Sequence, residues 1–281
     1  MIYLVFVIAS DQPFEIKGLI KALFPISFER WWFASVYIIL YILYPFINIL
    51  LNSIDKKTYQ VLLITLLIIW CILPTFTTKS FSGSNLAWFL TLYAVAGYVR
   101  LYGFNPKFTL KHYTIMFIVF ALITFLSSVI FTILGTKFTI FGQHATYFFG
   151  QNRLPTFLSS LSLFMIFANM KMKNYKLINI ISASTFGVYL IHDNNLVRSY
   201  LWESVFKNVS YQNSNLLWIY SIGVCLIVFS LCIIIDLVRK YTIEKLYSKM
   251  IDKCADSVTK VLKSVVNLGF GWLFGKKESE N

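Results

Sequence analysis

Charge-free apolar runs, each roughly 15 to 23 residues long, recur along the chain at 31–51, 59–76, 86–99, 113–134, 155–169, 178–191 and 216–235. About 20 apolar residues suffice to cross the hydrocarbon core of a bilayer, so these runs predict seven membrane spans. Backbone amides inside lipid must find partners within the protein, which leaves only helices and closed barrels. None of the runs shows the period-two alternation that a barrel strand needs. The predicted fold is therefore all-α, a polytopic transmembrane helix bundle. The runs at 86–99, 155–169 and 178–191 are short and must draw on flanking aromatic residues, or lie partly inside the bundle. Residues 1–9 form an apolar stub, too short to span and without the basic segment and cleavage site of a signal peptide. They read as the end of a helix that begins upstream.

Composition agrees with a lipid-solvated chain. Hydrophobic residues make up 58% and charged residues 13%, with a mean hydropathy of +0.69. A soluble domain carries about twice that share of charge, which excludes a soluble globular enzyme, a disordered chain and a nucleic-acid module. The net charge of +13 is explained by placement. Eight basic residues, among them Lys56, Lys57, Arg100 and Lys176, crowd the connections at 52–59, 100–112 and 171–177. The opposite connections also carry eight, including Arg153 and Arg198, but over more than twice the length. The denser side is expected to be cytoplasmic, and it places the C-terminus there.

From residue 239 onward the pattern changes. Ile243, Leu246, Tyr247, Met250, Ile251, Cys254, Val258 and Val261 recur at spacings of three and four, with Lys245, Lys249, Lys253 and Lys260 between them. Residues 1–238 thus form the membrane bundle, and 239–281 a basic amphipathic cytoplasmic tail. Such a helix suits an anionic leaflet, and membrane lipids are its expected partner. Packing against the bundle's own cytoplasmic loops is the alternative.

The centres of the predicted spans hold no Asp, Glu, Lys, Arg or His. Proton-coupled carriers place ionisable groups at that depth, so that class is disfavoured. Phosphate-binding glycine loops and a nucleophile elbow are absent from the sequence. Cys71, Cys225, Cys232 and Cys254 show neither CxxC nor zinc spacing, and no metal site is expected.

Titratable residues gather at span ends, where an interfacial enzyme would use them. His112 and His144 read as loop histidines. His192 ends an apolar run and is followed by Asp193, with Arg198 and Trp202 beyond. A histidine at the outer lip of a span beside a carboxylate can accept a proton or orient a sugar hydroxyl. Together with Arg153 these residues make a candidate substrate-side set: His192, Asp193, Arg198, Arg153 and Trp202. Each also has a plain structural reading. The histidine can cap its helix, the arginines can reach for headgroups, and the tryptophan can sit in an aromatic belt. Glu29 and Arg30 before Trp31 and Trp32 read as a helix-end ion pair.

Three strings carry a family resemblance: FGVYLIHDNNLVRSYLW at 186–202, NRLPTFLSSLSLFMIF at 152–167 and FPISFERWWFASVYIILYILYPFIN at 24–48. In this order and spacing the chain resembles the acyltransferase-3 family over roughly residues 1–240. These are integral membrane O-acyltransferases of bacterial surface polysaccharides and related acceptors. The resemblance implies about ten membrane helices, acyl-CoA as donor substrate with no bound cofactor, and a polysaccharide or lipid-linked sugar as acceptor. It also implies a catalytic histidine in the first family helix, preceded at eleven residues by a basic one. Positions eleven before His112, His144 and His192 are Leu101, Ile133 and Ile181, so that motif is not in this chain. The resemblance therefore describes an N-terminally truncated member, located in the bacterial plasma membrane. A non-catalytic membrane protein stands as the alternative: a polysaccharide export or polymerisation component, a passive transporter, or a degenerate remnant of the enzyme.

Overall fold

The computed structural model describes residues 15–28, 30–77, 85–104, 107–171, 173–245 and 247–248, and farther on 252, 255, 257, 260 and 264. The stub at 1–9, Glu29 and most of the tail lie outside the described residues, although Asp252, Ala255, Ser257, Lys260 and Ser264 are helical. The principal helices are α1 (Ile16–Leu23), α2 (Trp32–Ser53), α3 (Lys56–Phe76), α4 (Asn85–Tyr102), α5 (Leu110–Gly135), α6 (Leu154–Asn169), α7 (Lys176–His192) and α8 (Leu217–Tyr241). No strand occurs among the described residues. Each predicted apolar run is a helix, usually extended by one to three residues at its ends. Four helices are long and apolar enough to cross a bilayer by themselves: α2, α3, α5 and α8, the last continuing to Lys245. This criterion of length and apolarity supports four of the seven expected spans and does not confirm the other three. At 18, 16 and 17 residues, α4, α6 and α7 are the shorter runs already marked as needing help at their ends.

Several hydroxyl residues within these helices are handled locally. The hydroxyls of Thr65, Thr91, Thr124 and Ser162 donate to carbonyls four residues back, at 2.7–2.9 Å. A hydroxyl paired to its own helix costs little in lipid. The faces that the protein leaves uncovered are apolar, as along α5 at Ile115, Ile118, Leu122, Phe125 and Leu126.

The described residues divide into two compact units. The unit of residues 23–173 contains α2 to α6, in which α4 packs on both α2 and α3, and α5 on α6. One core joins Leu51, Tyr59 and Ala94; another joins Cys71, Trp88, Val95 and Phe157. Tyr59 is fully buried, and its hydroxyl donates to the Ala94 carbonyl at 2.9 Å. Gly97 makes this possible, because a β-carbon there would lie 2.7 Å from the Tyr59 hydroxyl. The tight α2–α3 link is fixed by Asp55, which accepts from the Lys57 amide at 2.9 Å and from both the amide and hydroxyl of Thr58.

The second unit contains residues up to 22 together with those from 174 on. Its core is the α7–α8 interface, where Val188 packs with Val224, Val228, Cys232 and Ile233. Trp202 and Phe206 pack against this core from the segment that follows α7. Gly187 admits Asp236 of α8, whose carboxylate is bonded by the Arg239 Nε at 3.0 Å.

Candidate functional site

α7 ends at His192 because the next residues cannot prolong it. Asp193 is its C-cap, and Asn194 instead caps the short helix Asn195–Ser199, its side chain accepting from the Leu196 amide at 3.1 Å. Asn194 is buried and fixes this corner. Arg198 then faces back, its guanidinium 3.3 Å from the Asp193 carboxylate. The Asp193 side chain is 24% exposed and that of Arg198 53%, so both reach the protein surface.

His192 itself is half-buried, with Nδ1 2.7 Å from the Val188 carbonyl. A carbonyl can only accept, so Nδ1 carries the proton in the neutral ring and Nε2 keeps its lone pair. The helix-capping role and an acceptor role are therefore compatible in one side chain. His144 has the same arrangement, with Nδ1 2.8 Å from the Ile140 carbonyl. His112 has the opposite one. It was expected in a loop, but α5 begins at Leu110 and makes it the third helical residue. There Nδ1 accepts from the Thr109 amide at 3.2 Å, which puts the proton on Nε2.

Trp202 lies in a π-helical turn, Tyr200–Val205, that continues the short helix. Its indole is half-buried on the Val188 core and 6.1 Å from the Phe206 ring. Part of the ring surface is thus committed to packing. The structure brings His192, Asp193, Arg198 and Trp202 into one segment of one unit.

Arg153 belongs to the unit of residues 23–173, where it closes the end of α3. That helix carries a π-helical turn at Ile68–Ile72 followed by Pro74, and both free backbone carbonyls. Side chains from residues 147–153 satisfy them. Asn152 donates to Trp70 at 3.2 Å, Tyr147 to Pro74 and Thr77 at 2.7 and 2.9 Å, and the Arg153 guanidinium to Pro74. The guanidinium also stacks over the Tyr147 ring, 4.1 Å from its centroid. A cation at a helix C-terminus adds a favourable dipole term. Tyr147 and Asn152 were not singled out by sequence reasoning; Pro74 within a span was the available signal that carbonyls there need outside donors.

A second feature missed in the sequence is a polar cavity of ≈ 380 Å³ where α2, α3 and α4 meet. Asn48, Asn52, Tyr59, Tyr93 and Arg100 supply its polar wall, with Leu51, Ala96 and Leu101 beside them. Tyr93 donates to the Asn48 side-chain carbonyl at 2.7 Å, and the Asn52 amide donates to the Asn48 backbone carbonyl at 2.7 Å. Each amide retains further donor and acceptor positions. Asn48, Asn52, Tyr59 and Arg100 lie toward the helix ends that carry Lys56 and Lys57, whereas Tyr93 and Ala96 sit midway along α4.

The family model of the acyltransferase domain, Acyl_transf_3, matches residues 1–237. The chain belongs to the acyltransferase-3 family. No curated protein and no solved structure is significantly similar to it. As an acyltransferase-3 protein it is a multi-pass membrane protein with acyltransferase activity by family resemblance. The matched region contains all of α1 to α7 and most of α8, and therefore both the His192 segment and the α2–α4 cavity.

Proposed function

We propose that this acyltransferase-3 protein transfers an acyl group, acetyl in the first instance, from acyl-CoA to a hydroxyl of a cell-surface polysaccharide or its lipid-linked precursor. It does so in the bacterial plasma membrane, with the C-terminus cytoplasmic and the basic tail on the anionic leaflet. The observation that carries the reading is the contact of His192 Nδ1 with the Val188 carbonyl, which leaves Nε2 as a hydrogen-bond acceptor in the same segment as the Asp193–Arg198 pair.

In this reading Nε2 accepts the hydrogen bond of the acceptor hydroxyl and orients that hydroxyl for acylation. Asp193 and Arg198 bind the neighbouring sugar hydroxyls, and the uncovered part of the Trp202 ring offers a stacking surface. A new carbon–oxygen ester bond forms as the carbon–sulfur bond breaks, and the displaced proton ends on the CoA thiol. Donors aimed at the developing oxyanion contribute about 3–4 kcal/mol each. Positioning of the acceptor hydroxyl is the role of these residues.

The charge pattern favours the α2–α4 cavity as the donor side. Its asparagines and tyrosines match the amides of a pantetheine arm, and Arg100 matches a phosphate. The decisive experiment is His192→Ala in the full chain. Surface-polysaccharide O-acylation should fall while membrane abundance stays constant. Unchanged acylation would remove His192 from the site.

A further inference from the structure

α7 and α8 enclose a cleft of ≈ 480 Å³ at the end of the pair opposite His192. Lys176, Lys240, Asn174 and Asn179 form one wall, and Ile180 and Leu237 continue it along the helices. The asparagines are tied together, the Asn179 amide donating to the Asn174 side-chain carbonyl at 2.5 Å. Tyr241 closes the rim, with the Lys245 ammonium 5.8 Å from its ring centroid.

The electrostatics of this cleft are one-sided. The carboxylates nearest in sequence on α8 and beyond it, Asp236 and Glu244, are both paired with Arg239 at 3.0 Å. Lys176 and Lys240 have no ion-pair partner among the described residues. Lys176 is also the first residue of α7, whose N-cap, Tyr175, offers no side-chain hydrogen bond. The free amides of that first turn add positive potential at the same place.

We propose that this cleft binds an anionic membrane phospholipid. Its phosphoryl group sits between Lys176 and Lys240 at the start of α7, and an acyl chain runs past Ile180 and Leu237. The division of the wall carries the choice of occupant: a cationic, amide-bearing rim continuing into an apolar groove on a membrane helix pair matches a lipid. A soluble phosphate would have no use for the groove. Basic pockets between membrane helices hold headgroups in this way, most readily on the cytoplasmic side. Only the choice of leaflet rests on the topology proposed above. Binding does not depend on the acyl-transfer reading.

The test measures thermal unfolding of the purified full chain in a neutral detergent, without turnover, so its failure leaves the acyl-transfer reading untouched. Dioleoylphosphatidylglycerol at saturation should raise the midpoint by roughly 5 °C. Dioleoylphosphatidylcholine, inorganic phosphate and adenosine 3′,5′-bisphosphate should not. Lys176→Gln with Lys240→Gln should remove at least half of the rise, whereas Lys171→Gln with Lys173→Gln, the same loss of charge outside the cleft, should keep it. Ala183→Trp fills the cleft with both lysines in place and should also remove the rise. A full rise in both cleft variants would overturn the proposal. So would an equal loss in the Lys171 and Lys173 control, or an equal rise with either soluble phosphate.

Discussion

The carboxylate of Asp236 lies against the bare α-carbon of Gly187, so that a β-carbon at 187 would overlap it. A buried charge on α8 is thus accommodated by a missing side chain on α7, and Arg239 neutralises it from one turn away. Gly187→Ala forces the helices apart or the carboxylate off its arginine, and overpacking of this kind costs about 1–3 kcal/mol. Gly223→Ala on α8, where nothing lies within 4 Å, should be neutral or stabilising. Unfolding midpoints in detergent check the pair; equal losses at both positions would discount the Gly187–Asp236 contact.

The end of α3 is held by Tyr147 and Arg153 rather than by its own helix. Tyr147→Phe removes the hydroxyl that donates to the Pro74 carbonyl at 2.7 Å and is expected to cost about 0.5–1.5 kcal/mol. Arg153→Gln removes both a carbonyl partner and the cation over the Tyr147 ring, and should lower stability at least as much. Activity per folded molecule is expected to survive both changes. A specific loss of turnover in fully stable Arg153→Gln would instead place that guanidinium on the substrate.

Asp55 gives the α2–α3 link a dependence on pH. The hydroxyl of Thr58, then its amide, and the Lys57 amide hold the Asp55 carboxyl below its ordinary value of 3.8. A carboxyl lowered by folding contributes its stability above the unfolded value and loses it as pH falls through the folded one. Asp55→Asn keeps a capping acceptor that does not titrate. Between about pH 5 and pH 3 the native midpoint should therefore fall more steeply than that of Asp55→Asn. Parallel curves would discount the cap.

Arg100 tests the donor side. Arg100→Gln is expected to raise the KM for acyl-CoA about tenfold with little change in kcat, the signature of lost ground-state binding. Steady-state acylation by membranes containing the variant checks it, and an unchanged KM would remove the α2–α4 cavity from the donor path.

Periodicity made the helices legible. Uninterrupted apolar runs located α2, α3 and α5 to within three residues and the start of α8 to within one, because lipid burial leaves the backbone no other solution. It also marked α4, α6 and α7 as short, but not how their ends are covered, since that depends on what packs beside them. His192, Asp193 and Arg198 were legible as a cluster because they are neighbours in sequence. Tyr147 and the cavity lined by Asn48 and Tyr93 were not, since their partners are as much as 73 residues away and only folding brings them together. The tautomers of His112 and His192 differ for a similar reason: each is set by which backbone group faces Nδ1.

The most direct measurement is transfer of labelled acetyl from acetyl-CoA to the polysaccharide fraction by membranes containing the full chain, native or His192→Ala, at matched abundance. The account predicts label incorporation that requires the protein and falls at least about tenfold in the variant. Incorporation that is equal with native protein, with His192→Ala and with membranes lacking the protein would contradict it.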